Sequence, residues 1–285
     1  MADAITGNTE LVATKQDLIA SIVLKELQFQ AKLSQTVTDV SMFAVKGAKT
    51  ISFPKLSSFS VINRVSGVAG AASALTAVTD ILNLDFNAYV AWIIDSFDEV
   101  QTTIQAQIEF ARRAASAHGR YVDTQLISKI SSVAGLNLNG AVPADITRND
   151  ILDMREFLFK NEADMNAVQL VIPADQEKAM LKVDEFTRAD IYGSSNIPSG
   201  MIGKVYGVPV MVHNGMTAQQ AFMYEKSGIA LGFQKAPSLS SQSANEYGAN
   251  ALRYAMDQLF GIAGLRIAEK GVAAGKSCLV AKLAD

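Results

Sequence analysis

The chain has 285 residues, 49% hydrophobic and 19% charged, a balance that favours a packed core over a solvated, disordered tail. Its 25 basic and 28 acidic side chains leave a formal charge of −3, too weak a field to recruit nucleic acid or an anionic membrane over distance. One cysteine, Cys278, excludes an intrachain disulfide framework and fits a reducing compartment.

No basic segment leads into an apolar run over Met1 to Glu10, so no secretory signal is expected. The longest apolar stretch, near Tyr89 to Ile94, is far shorter than a spanning helix requires, and no membrane contact is expected. Thr14 and Asp17 resemble a helix-opening capping box, and Leu18, Ile22 and Leu27 then share a helical face to about Leu33. Residues 1–50 read as an amino-terminal arm with balanced charge.

From Ile51 the pattern changes. Ile51, Phe53, Phe59, Val61 and Val65 share one parity, and Ser52, Ser58, Ser60 and Arg64 the other, the alternation of a strand. Pro54 cannot donate a ladder hydrogen bond, which places this strand at an edge or in a ribbon. The small residues Ser66 to Ala71 form a turn and Leu75 to Leu84 return antiparallel, giving a long hairpin over 51–84. A two-stranded ribbon is marginal alone, and this one carries only Lys55, Arg64 and Asp80 as charges. It needs a surface, supplied by its own chain or by a neighbouring copy.

Phe97, Ile104, Ile108, Ala111, Ala115, His118, Val122, Leu126, Ile130 and Val133 recur at three and four residues, predicting one helix over 97–133, about 55 Å long at 1.5 Å per residue. Gly119 costs it about 1 kcal/mol, less than the packed face returns. Beyond Gly135 the order is mixed. Thr147 and Asp150 open a helix to about Lys160, Val168 to Ile172 read as a buried strand, and Pro173 starts a short helix carrying Met180 and Leu181. Strands are expected in 202–213, bent at Gly203 and Gly207 and stiffened by Pro209, and in 221–224, 229–233, 251–262 and 277–283. The fold class is α+β without regular βαβ alternation.

Chemistry-bearing motifs are near misses. Gly271 to Ser277 has three residues between its glycines where a P-loop needs four, and it leads into a strand rather than a helix. Ser52 and Lys55 have serine–lysine acyltransferase spacing but a strand-like context with Pro54 between them. His118 and His213 have no metal-ligand neighbours, and His213 leads into an Asn-Gly turn. The adjacent carboxylates Asp98 and Glu99, and Asp184 and Glu185, point in different directions and form no acid/base pair. Arg112, Arg113 and Arg120 cluster on the long helix, but acids on the same helix balance them, which favours ion pairs within or between subunits. No cofactor, metal or catalytic activity is expected.

The order of arm, hairpin, long helix and mixed domain resembles the major capsid proteins of tailed bacteriophages, with the Hong Kong 97-type fold. The local matches are Leu170-Val171-Ile172-Pro173, Phe186 to Gly193, and the run Gly200-Met201-Ile202-Gly203-Lys204-Val205-Tyr206-Gly207-Val208-Pro209-Val210. The resemblance implies an extended loop at 51–84, with Phe53, Lys55, Phe59, Val61 and Arg64 as intersubunit candidates. It implies a peripheral domain at 85–140 and 236–262, whose spine helix presents Arg112, Arg113 and Arg120. It also implies an axial domain at 141–235 and 263–285 with turns at Gly203, Gly207 and Pro209.

The function implied is self-assembly through pentamers and hexamers into an icosahedral head enclosing double-stranded DNA. The shell would form in the bacterial host cytoplasm, with separate scaffolding, portal and decoration proteins as candidate partners and packaged DNA at its inner surface. No lysine, asparagine and carboxylate trio for cross-linking can be matched. An encapsulin-like cargo compartment and a cytosolic hydrolase are the alternatives; copurifying genomic DNA separates the first from a virion, and a discrete monomer or dimer marks the second.

Overall fold

A computed structural model describes residues 33–56, 63, 77–94, 104–138, 145–182, 203–247, 251–267 and 272–283. In chain order its first elements are strands β1 (Thr38–Asp39), β2 (Thr50–Leu56), β3 (Ala77–Asn83) and β4 (Phe86–Ile94), helix α1 (Ile104–Val133), and β5 (Ala134–Leu138). Helix α2 (Arg148–Lys160), β6 (Val168–Ile172), α3 (Ala174–Lys182), β7 (Lys204–Val205) and β8 (Val208–Val212) follow. The chain closes with β9 (Ala221–Glu225), β10 (Ile229–Ser243), β11 (Leu252–Gly264) and β12 (Ser277–Leu283).

These strands make a four-stranded sheet in the order β1-β10-β11-β4, a six-stranded sheet in the order β5-β12-β9-β6-β8-β7, and the two-stranded ribbon β2-β3. Helix α1, the spine, runs unbroken through Gly119, as its apolar stripe predicts, and its 30 residues span about 45 Å. The amino-terminal helix expected before Leu33, positions 97–103 and the carboxylate pairs at 98–99 and 184–185 lie outside the described residues.

The spine connects both sheets. Near its start Ala111, Ala114 and Ala115 let it approach Met256, Val90 and Trp92 of the four-stranded sheet, because short side chains permit close packing. Farther along, Val122, Leu126 and Ile130 share a core with Leu231, Phe260 and Ile262 of that sheet and with Phe222, Tyr224 and Val280 of the other. A second core lies between the six-stranded sheet and helices α2 and α3, around Ile151, Met154, Leu158, Leu170, Met180, Met223 and Leu283. Helix α2 opens with the capping box seen in the sequence: Asp150 N–H donates to the Thr147 hydroxyl, and Thr147 N–H donates to the Asp150 carboxylate.

Three features differ from the sequence reading. The strand expected to end at Phe233 continues to Ser243. Register shifts at Phe233/Lys235 and Lys235/Ser238, with Pro237 between, break the alternation that would have revealed it. Strand β4 was not foreseen because apolar residues occupy both of its faces, and β5 because it follows the spine helix with no intervening turn. Residues 134–138 pair within the six-stranded sheet, and residues 229–235 within the four-stranded sheet. A strand belongs with the neighbours that satisfy its ladder, and this information is non-local.

The β7-β8 hairpin pairs Val205 with Val208, so Tyr206 and Gly207 form a two-residue loop. Both have positive φ, 49° and 83°, as a primed turn requires. A Cβ at Gly207 would meet nothing within 4 Å, so substitution there strains the backbone without a clash. Gly207→Val is expected to lower unfolding free energy by about 1–3 kcal/mol and Gly207→Asn by much less. Chemical denaturation of the two variants checks this.

Candidate functional site

The ribbon is built on the four-stranded sheet and leaves it. Its seven antiparallel pairs run from Thr50↔Asn83 to Leu56↔Ala77. At the root, Ile51 and Leu82 are buried with Val40, Ala230 and Ala263, and Phe53 packs against them half-buried. The sheet makes room there with glycine: Gly232 and Gly261 are cross-strand partners, and a Cβ on Gly261 would stand 2.1 Å from the Asn83 carbonyl oxygen. Asp80, buried on β3, accepts a hydrogen bond from Arg266 N–H at 2.7 Å. That bond ties the ribbon to the crossing between β11 and β12, where Leu265 N–H also donates to the Gly228 carbonyl. On the strand's other face Ile81, between those anchors, and Val78, beyond them, are 56% and 54% exposed, a large apolar exposure on an ordered strand.

Of the hairpin residues singled out in the sequence, Phe53 and Lys55 lie half-buried on β2, while Phe59, Val61 and Arg64 lie outside the described residues. Ser52 is exposed, and Lys55, three residues farther along the same strand, faces the opposite side; the acyltransferase geometry does not form. Arg112, Arg113 and Arg120 are all exposed on the spine. Arg113 pairs with Glu109 at 3.3 Å one turn away, an exposed intrachain pair of small energetic weight. Gly203, before β7, accepts from Val210 N–H through its carbonyl, extending the β7-β8 ladder, and Pro209 lies within β8 opposite Lys204. The structure does not gather these three groups at one place; they mark the ribbon, the spine and the far edge of the six-stranded sheet.

Both histidines serve packing contacts. His213 Nδ1 accepts from Gly215 N–H at 3.0 Å, so Nε2 carries the proton and donates to Asp123 on the spine at 3.0 Å. This bond fastens β8 to α1. Tyr224, buried between the sheets with its phenol pushed up to about 12 by desolvation, donates to the Thr36 hydroxyl at 2.5 Å, since that hydroxyl's own proton goes to the Leu33 carbonyl. His118 is buried against the four-stranded sheet, with Nδ1 3.2 Å from Gln258 Oε1.

Burial holds His118 below its ordinary value of 6.5, opposed by its bonds to Gln258 and Met256 and by the Asp257 charge. The imidazole is therefore neutral in the fold, and the unfolded chain takes up a proton more readily. The stability it contributes is present above the unfolded value and falls as pH drops from about 6.5 toward the lower folded value, at up to about 1.4 kcal/mol per pH unit. His118→Gln, which retains a polar partner for Gln258, is expected to flatten this part of the acid destabilisation. Denaturation curves at about pH 7.5 and about pH 5.5 measure it.

Gly275, with φ of 78°, turns the chain into β12, and Lys276 Nζ donates to the Ser132 carbonyl at 2.6 Å. The P-loop-like segment is thus an ordinary turn into a strand, as the register predicts. Among the described residues no group of three or more His, Cys, Asp or Glu side chains is placed to hold a metal, and no helix is long and apolar enough to cross a membrane. An open depression of about 560 Å³ over α2 is lined by Leu152, Arg155, Glu156, Phe159 and Lys160, all on one helix face.

The described residues thus present an anchored ribbon and a long spine helix joining two sheets. A family model described as phage capsid protein matches residues 19–278. The chain belongs to the phage capsid protein family. A solved structure from Mycobacterium phage Che8 superposes with a TM-score of 0.71 at 17% identity, covering 89% of this chain and 91% of that one. The capsid structure of the cyanophage P-SCSP1u gives 0.67 at 12% identity, covering 87% and 86%. A virus-like particle from Pyrococcus furiosus gives 0.59 at 10% identity, covering 94% and 98%. No curated protein matches the sequence.

This phage major capsid protein therefore has the Hong Kong 97-type fold, and its family is one of structural proteins that associate with copies of themselves. The sequence reading missed β4, Gly232, Gly261 and Asp80. For β4 a signal existed: Phe86 to Ile94 is rich in aromatic and β-branched residues and lacks any charge between Asp85 and Asp95. For the glycines and Asp80 there was none, because their roles depend on which strand crosses above them.

Proposed function

We propose that this capsid protein assembles through pentamers and hexamers into the icosahedral head of a tailed bacteriophage, enclosing double-stranded DNA, with no catalytic role. The observation that carries this reading is the ribbon, which is fixed at its root by Ile51, Leu82 and Asp80 while its opposite face exposes Ile81 beside those anchors and Val78 beyond them. A rigidly rooted strand pair with apolar exposure gains stability when a neighbour covers it.

In this reading residues 51–84 are the extended loop, the spine with the four-stranded sheet is the peripheral domain, and the six-stranded sheet is the axial domain around the fivefold and sixfold axes. Heterologous contacts of this kind close into rings, and many weak copies of one contact make a stable shell. Phe53, Lys55, Phe59, Val61 and Arg64 are the intersubunit candidates on the loop. Arg112, Arg113 and Arg120 are candidates on the spine, and Gly203, Gly207 and Pro209 shape the axial turns. Scaffolding, portal and decoration proteins are the proposed partners, with assembly in the host cytoplasm and DNA against the inner surface.

Electron microscopy of the purified chain under assembly conditions tests the proposal. Closed shells of uniform diameter are expected, and a persistent monomer or dimer overturns it. Shells from infected cells that contain genomic DNA mark a virion; shells filled with protein cargo would mark a compartment instead.

A further inference from the structure

The capsid reading leaves one reactive motif unused, His213-Asn214-Gly215, where the chain leaves β8. Asparagine followed by glycine is the dipeptide most prone to cyclise, because no side chain shields the glycine nitrogen from the asparagine amide carbon. Asn214 and Gly215 form an exposed turn, open to the water that such a reaction consumes.

The nitrogen that would attack already faces a base. Gly215 N–H donates to His213 Nδ1 at 3.0 Å, and His213 Nε2–H donates to Asp123 Oδ2 on the spine at 3.0 Å. Carboxylate, imidazole and nucleophile thus follow one another as in sites where a buried acid fixes the tautomer of a proton-accepting histidine. Among the described residues the other oxygen of buried Asp123, Oδ1, has no hydrogen-bond partner, so this carboxylate is committed to the imidazole. The backbone is set as well. His213 N–H donates to the Ile172 carbonyl at 2.9 Å, and a Cβ at Gly215 would stand 2.8 Å from His213 Cε1, so only glycine lets the chain come this close to the ring.

We propose that Asn214-Gly215 is a self-modification site, at which His213 is the general base for deamidation of Asn214. The Gly215 nitrogen attacks Asn214 Cγ while its proton passes to His213 Nδ1, and the new N–Cγ bond closes a succinimide ring. The Cγ–Nδ2 bond then breaks, and the imidazolium returns the proton to the departing nitrogen, which leaves as ammonia. Water opens the ring at either carbonyl and leaves aspartate or isoaspartate at 214. Nothing is oxidised or reduced; one water enters and one ammonia leaves. Asp123 acts through His213 as a positioning residue. The product adds one negative charge to the chain's −3, next in sequence to the histidine that fastens β8 to α1. The inference goes beyond the shell reading and does not depend on assembly.

Peptide mass spectrometry of the full chain, aged at neutral pH either folded or in urea, tests this. Asn139-Gly140, the other Asn-Gly of the sequence, reports the ordinary rate of the dipeptide in the urea sample. Asn214 is expected to deamidate at least about fivefold faster in the folded chain than in urea, since a placed base contributes about 10²–10⁴-fold and outweighs the restraint of the turn. An equal or slower rate in the folded chain overturns the inference and leaves the capsid reading standing.

His213→Gln and Asp123→Asn, each with its thermal midpoint measured, are expected to slow the reaction at 214 at least about tenfold. An amide at 123 can donate to Nε2, which moves the imidazole proton to Nδ1 and removes the acceptor. A purely structural bond between His213 and Asp123 predicts the opposite sign, because a loosened turn frees Asn214 to cyclise. Folded variants that deamidate as fast as the parent, or faster, overturn the inference. The comparison of folded and urea samples of the parent decides it even where a variant fails to fold.

Discussion

Gly261→Ala is expected to be strongly destabilising for the addition of a single methyl. The added Cβ would lie 2.1 Å from the Asn83 carbonyl oxygen, 2.7 Å from Leu82 Cδ2 and 2.9 Å from the Asn83 carbonyl carbon. Two of these are backbone atoms at the point where β3 leaves the sheet, so no rotamer change relieves the overlap. Either β11 bends or the ribbon root lifts away from Ile51 and Leu82, and overpacking that moves backbone costs about 3 kcal/mol. A loss of that size lowers the thermal midpoint of a chain this long by roughly 5–10 °C.

Gly232→Ala, directly across the strand pair, is the control. Its nearest contacts are side-chain tips, Val40 Cγ2 at 3.2 Å and Ile51 Cδ1 at 3.6 Å, so a cost below about 1 kcal/mol is expected. Calorimetry of the two variants checks the contrast. Equal midpoints would mean that the ribbon does not sit on Gly261 as described.

Replacing residues 57–76 by Asn-Gly is expected to separate folding from assembly. Leu56 and Ala77 are cross-strand partners, so a two-residue primed turn closes the shortened ribbon without changing its register. The root contacts of Ile51, Leu82 and Asp80 remain, and the thermal midpoint of the subunit should stay within about 3 °C of the parent. Shell formation should fail. If the distal ribbon contributes about 3 kcal/mol to each neighbour contact, its loss lowers each association constant by roughly a hundredfold, and a closed shell multiplies that penalty over its copies. Sedimentation and electron microscopy read the result. Normal particle yield from the shortened chain would remove the ribbon from the assembly mechanism.

Local pattern made much of this architecture legible. The stripe from Ile104 to Val133 specified the spine through Gly119, the Thr147-Asp150 box set the start of α2, and Val168 to Ile172 formed the strand expected of them. Alternation around Ile51 and Phe53 gave the ribbon its inner face. In each case the deciding interactions lie within one element, or between one face of it and a generic apolar core, so residue spacing suffices.

What tertiary structure alone decided was who lies beside whom. That Ser277 to Leu283 would be a strand followed from its residues; that it sits between β5 and β9 did not. That Gly232 and Gly261 form a notch, that Asp80 reaches Arg266, and that β1 pairs along β10 emerge only when segments far apart in sequence meet. Periodicity encodes which face of an element is apolar, whereas pairing order depends on how all the faces share one core. No single stretch of this chain contains that information.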